Sequence, residues 1–294
     1  MKIGIYGQFY HEDSETYIQY ILDALQQKEV EIVIEENFLE NIIKLKNISN
    51  RILKLDSFKS LDPSYDFFIS IGGDGTILKS VTFVGDLGIP IIGINTGRLG
   101  FLATIQKEKI KECLNQILSG DYYISERNLL TVSTDPEDKK IFLLNFALNE
   151  VAVNRKNTTS MIKVETKING EHLTSYWSDG LIVSTPTGST GYSLSCGGPI
   201  IDPKTKSLVI TPIAPHNLSV RPLIIPNTCT VSLTISGREK SYLVSLDSRI
   251  TTLKNNTTIV IKKAPFKIKL VQLKEDRFIK TLREKLLWGE DKRN

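Results

Sequence analysis

Phe67-Phe68-Ile69-Ser70-Ile71-Gly72-Gly73-Asp74-Gly75-Thr76-Ile77-Leu78-Lys79-Ser80-Val81 is the stretch that decides the fold. An apolar run leads into Gly72-Gly73-Asp74-Gly75-Thr76, and a helix-like run leads out. Strand, glycine turn and helix together present backbone N–H groups to a phosphate. The three glycines let the backbone turn tightly and approach a ligand. Asp74 does not suit a simple phosphate cradle, because its charge repels the ligand. It suits a site that orients a hydroxyl or a cation beside a phosphate. An ordinary βα turn with an Asp cap fits the same residues, and the stretch alone does not separate the two.

Upstream, strand and helix alternate. Ile3 to Tyr6 and Val30 to Ile34 read as strands. Ser14 to Gln27 carries Tyr17, Ile18, Ile21, Leu22 and Leu25 at helical spacing, and Phe38 to Leu55 has a weaker helical pattern. Tyr65 to Ile71 is apolar on both faces, as in a buried parallel sheet. Ile89 to Ile94 is a further strand, and Lys107 to Leu118 is a helix stopped by Ser119-Gly120. This alternation predicts a doubly wound, Rossmann-like, mostly parallel sheet with ligands at the carboxyl ends of its strands. Gly72 and Asn95 both fall at such ends.

Near Tyr122 the pattern changes to short strands separated by turns, among them Asp135-Pro136-Glu137-Asp138 and the hairpin signal Asn169-Gly170. The expected architecture is an α/β domain over residues 1–122 and an all-β sandwich over 123–273. A closing segment, 274–294, carries Phe278, Leu282, Leu286 and Leu287 on one helical face and returns to the first domain.

The chain has 294 residues, 40% hydrophobic and 24% charged, with a formal charge of +4. That excess is too small to argue for nucleic acid. No apolar run reaches membrane-spanning length, and the N-terminus reads as a strand and not as a signal peptide. Cys113, Cys196 and Cys229 are odd in number and widely spread, as expected of reduced cytoplasmic thiols. No Cys/His cluster has zinc-site spacing, so no resident metal is expected.

Four further stretches carry chemistry. Asn95-Thr96-Gly97-Arg98-Leu99-Gly100-Phe101-Leu102 follows a strand and is either a plain βα loop or a phosphate contact through Arg98. Asn149-Glu150 places an amide and a carboxylate beside an apolar run, which is costly unless both are paired. Side chains of adjacent strand residues point to opposite faces, so a bulge or a strand end is needed for both to reach one ligand. The third runs from Ser178-Asp179-Gly180 through Ser184-Thr185-Pro186-Thr187-Gly188-Ser189-Thr190-Gly191-Tyr192-Ser193-Leu194-Ser195-Cys196-Gly197-Gly198-Pro199. So many hydroxyls and glycines cannot build a core. They form either a plain loop or a wall of small donors with Tyr192 as a platform for a flat base. The fourth is His216-Asn217-Leu218-Ser219-Val220-Arg221-Pro222, whose histidine reads as structural.

In this order the motifs resemble those of the NAD kinases, over about Gly72 to Pro222. The glycine loop alone is shared with lipid kinases of the diacylglycerol or sphingoid class, which remain the alternative. Those relatives lack the long Thr-Pro-Thr-Gly-Ser-Thr stretch. The resemblance implies transfer of the γ-phosphoryl of ATP to the 2′-hydroxyl of the adenosine ribose of NAD, with a divalent cation such as Mg²⁺. It makes Asp74 the catalytic acid that orients and deprotonates that hydroxyl. Gly72, Gly73, Gly75 and Thr76 shape the phosphate loop, with Gly75 also against the NAD, and Arg98 is a further phosphate contact. Asn149, Glu150, Asp179, Thr187, Ser189, Thr190 and Tyr192 hold the dinucleotide, partly across a subunit boundary in a homo-oligomer, dimer or tetramer. Two departures stand out: Gly191 where alanine is usual, and Asp247-Ser248-Arg249 where an Asp-Gly turn is common. No G-x-x-x-x-G-K-[ST] is present, which excludes a P-loop enzyme.

Overall fold

The computed structural model describes residues 1–8, 14–26, 30–44, 55–142, 145–157, 159–274 and 277–287. The chain forms two compact units, Met1–Glu126 together with Ile268–Asn294, and Arg127–Lys267.

The first unit begins with β1 (Lys2–Gly7), α1 (Ser14–Gln26), β2 (Glu31–Glu35), α2 (Glu36–Ile43) and β3 (Asp56–Phe58). It continues with β4 (Phe67–Gly72), α3 (Asp74–Val84), β5 (Ile91–Asn95), the short β6 (Ile105–Gln106) and α4 (Ile110–Leu118). The strands are parallel in the order β3-β2-β1-β4-β5. The order reverses between β1 and β4, which is where an open α/β sheet leaves a crevice for a ligand. Helices cover the sheet with their apolar faces. Ile18, Ile21, Leu22 and Leu25 of α1 are buried, as are Ile110, Cys113, Leu114 and Ile117 of α4. Every residue of β4 is buried, which accounts for its unbroken apolar run.

The helical reading of Phe38 to Leu55 shortens to α2. Glu35 starts that helix early, its carboxylate accepting the N–H of Phe38 (2.8 Å) and the amide of Asn37 (2.8 Å). Residues 45–54 lie outside the described residues. The helix expected from Lys107 is a 3₁₀ turn over Lys107–Lys109 followed by α4.

The second unit is β-rich. It contains most of β7 (Tyr123–Asp135), the short α5 (Lys139–Phe142), β8 (Phe146–Ala147), β9 (Glu150–Asn154), β10 (Ile162–Ile168) and β11 (Glu171–Ser178). There follow β12 (Gly180–Ser184), α6 (Tyr192–Ser195), β13 (Ser207–Ile213), β14 (Leu223–Pro226), β15 (Val231–Ser236), β16 (Ser241–Leu246), β17 (Arg249–Lys254) and β18 (Thr258–Gln272). One sheet is ordered β14-β13-β12-β9-β16-β17, and β11-β10-β15-β18 is the facing one. Alternation explains the pairing: Val231, Leu233 and Ile235 of β15 and Tyr242, Val244 and Leu246 of β16 all enter one core. Tyr242 is fully buried and its hydroxyl donates to the Thr257 carbonyl (3.0 Å), which makes a buried phenol tolerable. Phe142 to Asn154 reads in the sequence as one strand; Phe142 ends α5, residues 143 and 144 lie outside the described residues, and the rest divides into β8 and β9 at Leu148 and Asn149.

The last strand links the units. β18 pairs with β15 in the second unit, and its end enters the first sheet, where Leu270 pairs in parallel with Ile91. Then α7 (Phe278–Leu286) closes the first unit, with Phe278 against Phe101 (6.4 Å between rings).

Candidate active site

In the first unit the glycine loop sits at the carboxyl end of β4, beside the switch point. Gly72 has φ 152°, and a Cβ there would lie 2.2 Å from Thr76 Oγ1. Gly73 is the N-cap of α3 and has no side chain to cap it, so the first N–H groups of the helix stay open. A Cβ at Gly73 or Gly75 would meet nothing within 4 Å. This open side faces a cleft of ≈ 350 Å³ lined by Gly72, Gly73, Gly75, Asn95, Thr96 and Arg98. Open amides at the positive end of an eleven-residue helix favour an anion. Thr76 lies beneath the loop, fully buried, with its hydroxyl donating to Gln8 Oε1 (3.3 Å) and accepting from the Gly73 N–H (3.3 Å). Arg98 is exposed on the rim of the cleft.

Asp74 is the first residue of α3. Its carboxylate accepts three backbone N–H groups: Phe101 to Oδ2 (2.8 Å), and Leu102 and Ala103 to Oδ1 (3.0 Å each). A carboxylate offers about four lone-pair directions. The loop after β5 takes three, and the one remaining belongs to Oδ2. Asn95 shapes that loop, its amide donating to the Arg98 and Ala103 carbonyls and its Oδ1 accepting from Gly97 N–H. Gly100 passes so close that a Cβ would sit 1.9 Å from Asp74 Oδ1.

In the second unit, Asn149 and Glu150 lie where β9 begins, so the strand end that the sequence required is present. Both side chains reach the same place. The position of a Cβ on Gly191 is 3.2 Å from Glu150 Oε2 and 3.4 Å from Asn149 Nδ2. Asn149 Oδ1 and Glu150 Oε2 are buried and have no hydrogen-bond partner. Glu150 is pushed up to about 8, by burial first and by Asp247 second, against the Tyr192 N–H. Burial, with the nearby Cys196, Asp179 and Glu150, raises the Tyr192 phenol. Its ring is 40% exposed, and its hydroxyl donates to Asn154 Oδ1 at 3.5 Å. Asp179 pairs with Arg155 (3.1 Å).

The Ser/Thr/Gly stretch forms a 3₁₀ turn over Thr187–Thr190 and then α6. Ser189 is fully buried, its hydroxyl donating to the Pro186 carbonyl (2.7 Å) and accepting from Ile201 N–H (3.0 Å). Thr187 is also buried, Thr190 is half-buried and Tyr192 is exposed. His216 meets Trp177 by backbone alone, through its N–H to the Trp177 carbonyl (2.8 Å).

Sequence reasoning registered Asp247 and Arg249 only as a departure in a turn. Asp247 is buried and collects the N–H groups of Leu148, Asn149 and Glu150. Thr185, within the Ser/Thr/Gly stretch, serves the backbone: its hydroxyl donates to the Leu148 carbonyl (2.6 Å). The available signal was an acid inside a two-strand turn.

A Rossmann-like unit with an anion-ready glycine loop and an acid that keeps one lone-pair direction open, joined to a β sandwich with orphaned buried acceptors, defines a nucleotide-binding phosphotransferase fold. The model of the ATP-NAD kinase N-terminal domain matches residues 3–122, and that of the ATP-NAD kinase C-terminal domain matches 148–273. The chain belongs to the ATP-NAD kinase family. It is 58% identical to the NAD kinase of Christiangramia forsetii and 55% to that of Flavobacterium psychrophilum, over all of both chains in each case. A crystal structure of an NAD kinase from Archaeoglobus fulgidus in complex with ATP aligns at TM-score 0.75 and 25% identity, covering 98% of this chain and 99% of the other. Yeast NADH kinase complexed with NADH has the same fold, at TM-score 0.84 and 23% identity, covering 99% of this chain and 88% of the other.

Proposed function

We propose that the protein is an NAD kinase, moving the γ-phosphoryl of ATP to the 2′-hydroxyl of the adenosine ribose of NAD. The lipid-kinase alternative falls to the match over residues 148–273, which a shared glycine loop does not explain. Asp74 carries the reading: an acid at the open N-terminus of α3 with one unfilled lone-pair direction.

Phosphoryl transfer asks mainly for positioning and charge stabilisation. The open amides of α3 and the Arg98 guanidinium receive phosphate oxygens. Oδ2 of Asp74 accepts the hydrogen bond of the attacking hydroxyl and fixes its line of approach. As the oxygen bonds to the γ-phosphorus, the bond to ADP breaks and the proton passes to Asp74, then to solvent. Gly72, Gly73, Gly75 and Thr76 hold the loop in shape for this.

Dinucleotide recognition falls to the second unit. Asn149 Oδ1 and Glu150 Oε2 are acceptors in want of donors, as ribose hydroxyls and an adenine amine would supply. Tyr192 offers its half-open ring to a flat base. Thr190 and Asp179 line the site, while Thr187 and Ser189 keep its wall in form.

Among the described residues no group of three or more His, Cys, Asp or Glu is placed to hold a metal ion. Mg²⁺ is held largely by substrate phosphates and water with one or two carboxylates. When bound, it would neutralise charge on the phosphates, with Asp74 as the nearest carboxylate to the loop. A cytoplasmic setting rests on the odd number and wide spread of Cys113, Cys196 and Cys229 in the sequence. No helix among the described residues is long and apolar enough to cross a membrane. A homo-oligomer, dimer or tetramer, rests on the family resemblance.

The test is purified protein with ATP, Mg²⁺ and NAD, assayed for NADP by an NADP-specific dehydrogenase. Folded protein that makes no NADP refutes the reading. Asp74→Asn should still bind NAD and lose turnover by several orders of magnitude; near-normal turnover removes Asp74 from the mechanism.

A further inference from the structure

Adjacent residues of an extended strand point their N–H groups to opposite sides. Leu148, Asn149 and Glu150 do not. All three donate to one carboxylate, that of Asp247: Leu148 to Oδ2 (2.9 Å), and Asn149 (2.8 Å) and Glu150 (3.2 Å) to Oδ1. Successive N–H groups converging on an anion form a concave nest. Asp247 sits in the turn between β16 and β17 at φ 53°, with its side chain 3% exposed, and returns its own N–H to the Glu150 carbonyl (3.0 Å).

The remaining backbone acceptors are taken from the other side. Thr185 Oγ1 donates to the Leu148 carbonyl, and Thr185 N–H (2.9 Å) and Ser184 Oγ (3.0 Å) donate to that of Asn149. Arg249 lies 4.0 Å from Asp247 Oδ2, donates to the Phe146 carbonyl and stacks over the Phe146 ring at 5.3 Å. Residues 146–150 are thus held by the β16–β17 hairpin on one side and by Ser184 and Thr185 on the other, and the side chains of Asn149 and Glu150 keep unspent acceptors.

We propose that Asp247 is the positioning residue of the dinucleotide site: by folding Leu148, Asn149 and Glu150 into a nest around its carboxylate, it turns two adjacent side chains toward one ligand. This rests on the NAD-kinase reading of that site. It also resolves the difficulty that adjacent strand residues cannot otherwise share a ligand.

Asp247 has a second effect through charge. The groups facing Glu150 are Asp247, with Arg249 behind it, Tyr192 of α6 and Cys196 at the C-cap of that helix. Burial raises Asp247, against the N–H groups of Leu148 and Asn149, the Arg249 guanidinium and the Glu150 N–H, which favour its ionised form. Glu150 is pushed up to about 8 by burial first and by Asp247 second. At neutral pH its carboxyl then offers an O–H donor to a ligand as well as an acceptor.

The experiment uses the full chain. Asp247→Asn retains one acceptor oxygen but sets an amide against an N–H. KM for NAD should rise about tenfold or more, with kcat within about threefold and KM for ATP unchanged. The alkaline limb of NAD affinity, followed by calorimetry, should move to lower pH because Glu150 loses its charged neighbour. Equal losses for NAD and ATP, or an unmoved limb, overturn the proposal. Should that variant not fold, Asp247→Glu decides: the charge stays but the carboxylate is displaced from the three N–H groups, so KM for NAD should rise with KM for ATP unchanged. Equal losses for the two substrates refute it. Failure of the wild type to make NADP would instead indict the kinase reading, because the calorimetric limb needs no turnover.

Discussion

Gly100→Ala adds one methyl group against the Asp74 carboxylate, and it should disable Asp74. The new Cβ would lie 1.9 Å from Asp74 Oδ1, 2.7 Å from Cγ and 3.0 Å from Oδ2. An ordinary carbon–oxygen contact is about 3.3 Å, so the carboxylate or the loop must move by roughly 1.4 Å. Oδ1 holds the bonds from Leu102 and Ala103, both at 3.0 Å, and neither survives that shift intact. Hydrogen bonds to a charged group contribute about 1.5–3 kcal/mol each. Asp74 is half-exposed and water replaces part of the loss, so about 1–3 kcal/mol of stability should go. For a chain of this size that lowers Tm by roughly 3–8 °C. A displacement on the order of 1 Å at a reacting group costs about 10²-fold in rate. Coupled NADP formation gives kcat, and thermal unfolding gives Tm. A variant that melts within a degree of wild type with kcat within twofold would show that the loop–acid contact positions nothing.

Two predictions accompany those for Asp74 and Asp247. Glu150 is raised from 4.5 to about 8 in the fold, so the native state holds its proton more tightly than the unfolded chain. Its contribution to stability is complete below pH 4.5, declines as pH rises and is gone above pH 8. Without ligand, Glu150→Gln should therefore give a flatter Tm–pH curve, with a relative gain on the order of a few kcal/mol near pH 8; parallel curves would refute this. Gly191→Ala places a methyl 3.2 Å from Glu150 Oε2 and from the Gly188 carbonyl, a strain of a few tenths of an ångström. KM for NAD should change by about threefold or less, and a tenfold rise would mean that the pocket depends on glycine at this position.

Elements came through the sequence where burial dictated a period. The unbroken run of β4, the helical spacing of α1 and the alternation in β15 each follow from what their faces touch. Boundaries slipped where a cap or a break overrode that period. Glu35 starts α2 before its apolar pattern begins, and the break at Leu148 and Asn149 divides what reads as one strand.

Site residues divide along a different line, between side-chain and backbone chemistry. Asp74 was visible because an acid among glycines is out of place. What holds it was not, because Phe101, Leu102 and Ala103 bind it through N–H groups, 27 to 29 residues away, and any residue but proline carries such a group. Asp247 is the same case in reverse. Its partners lie 97 to 99 residues upstream, and an acid in a hairpin turn reads as turn chemistry. Both acids use backbone amides as donors, yet to opposite ends. Asp74 keeps one lone-pair direction at Oδ2 and can still receive a hydroxyl. Asp247 is 3% exposed and spends itself on the chain, so the directed groups are those of Asn149 and Glu150. The distinction between a residue that acts and one that positions therefore rests on what each carboxylate has left over, a quantity that exists only once the loops have closed on it.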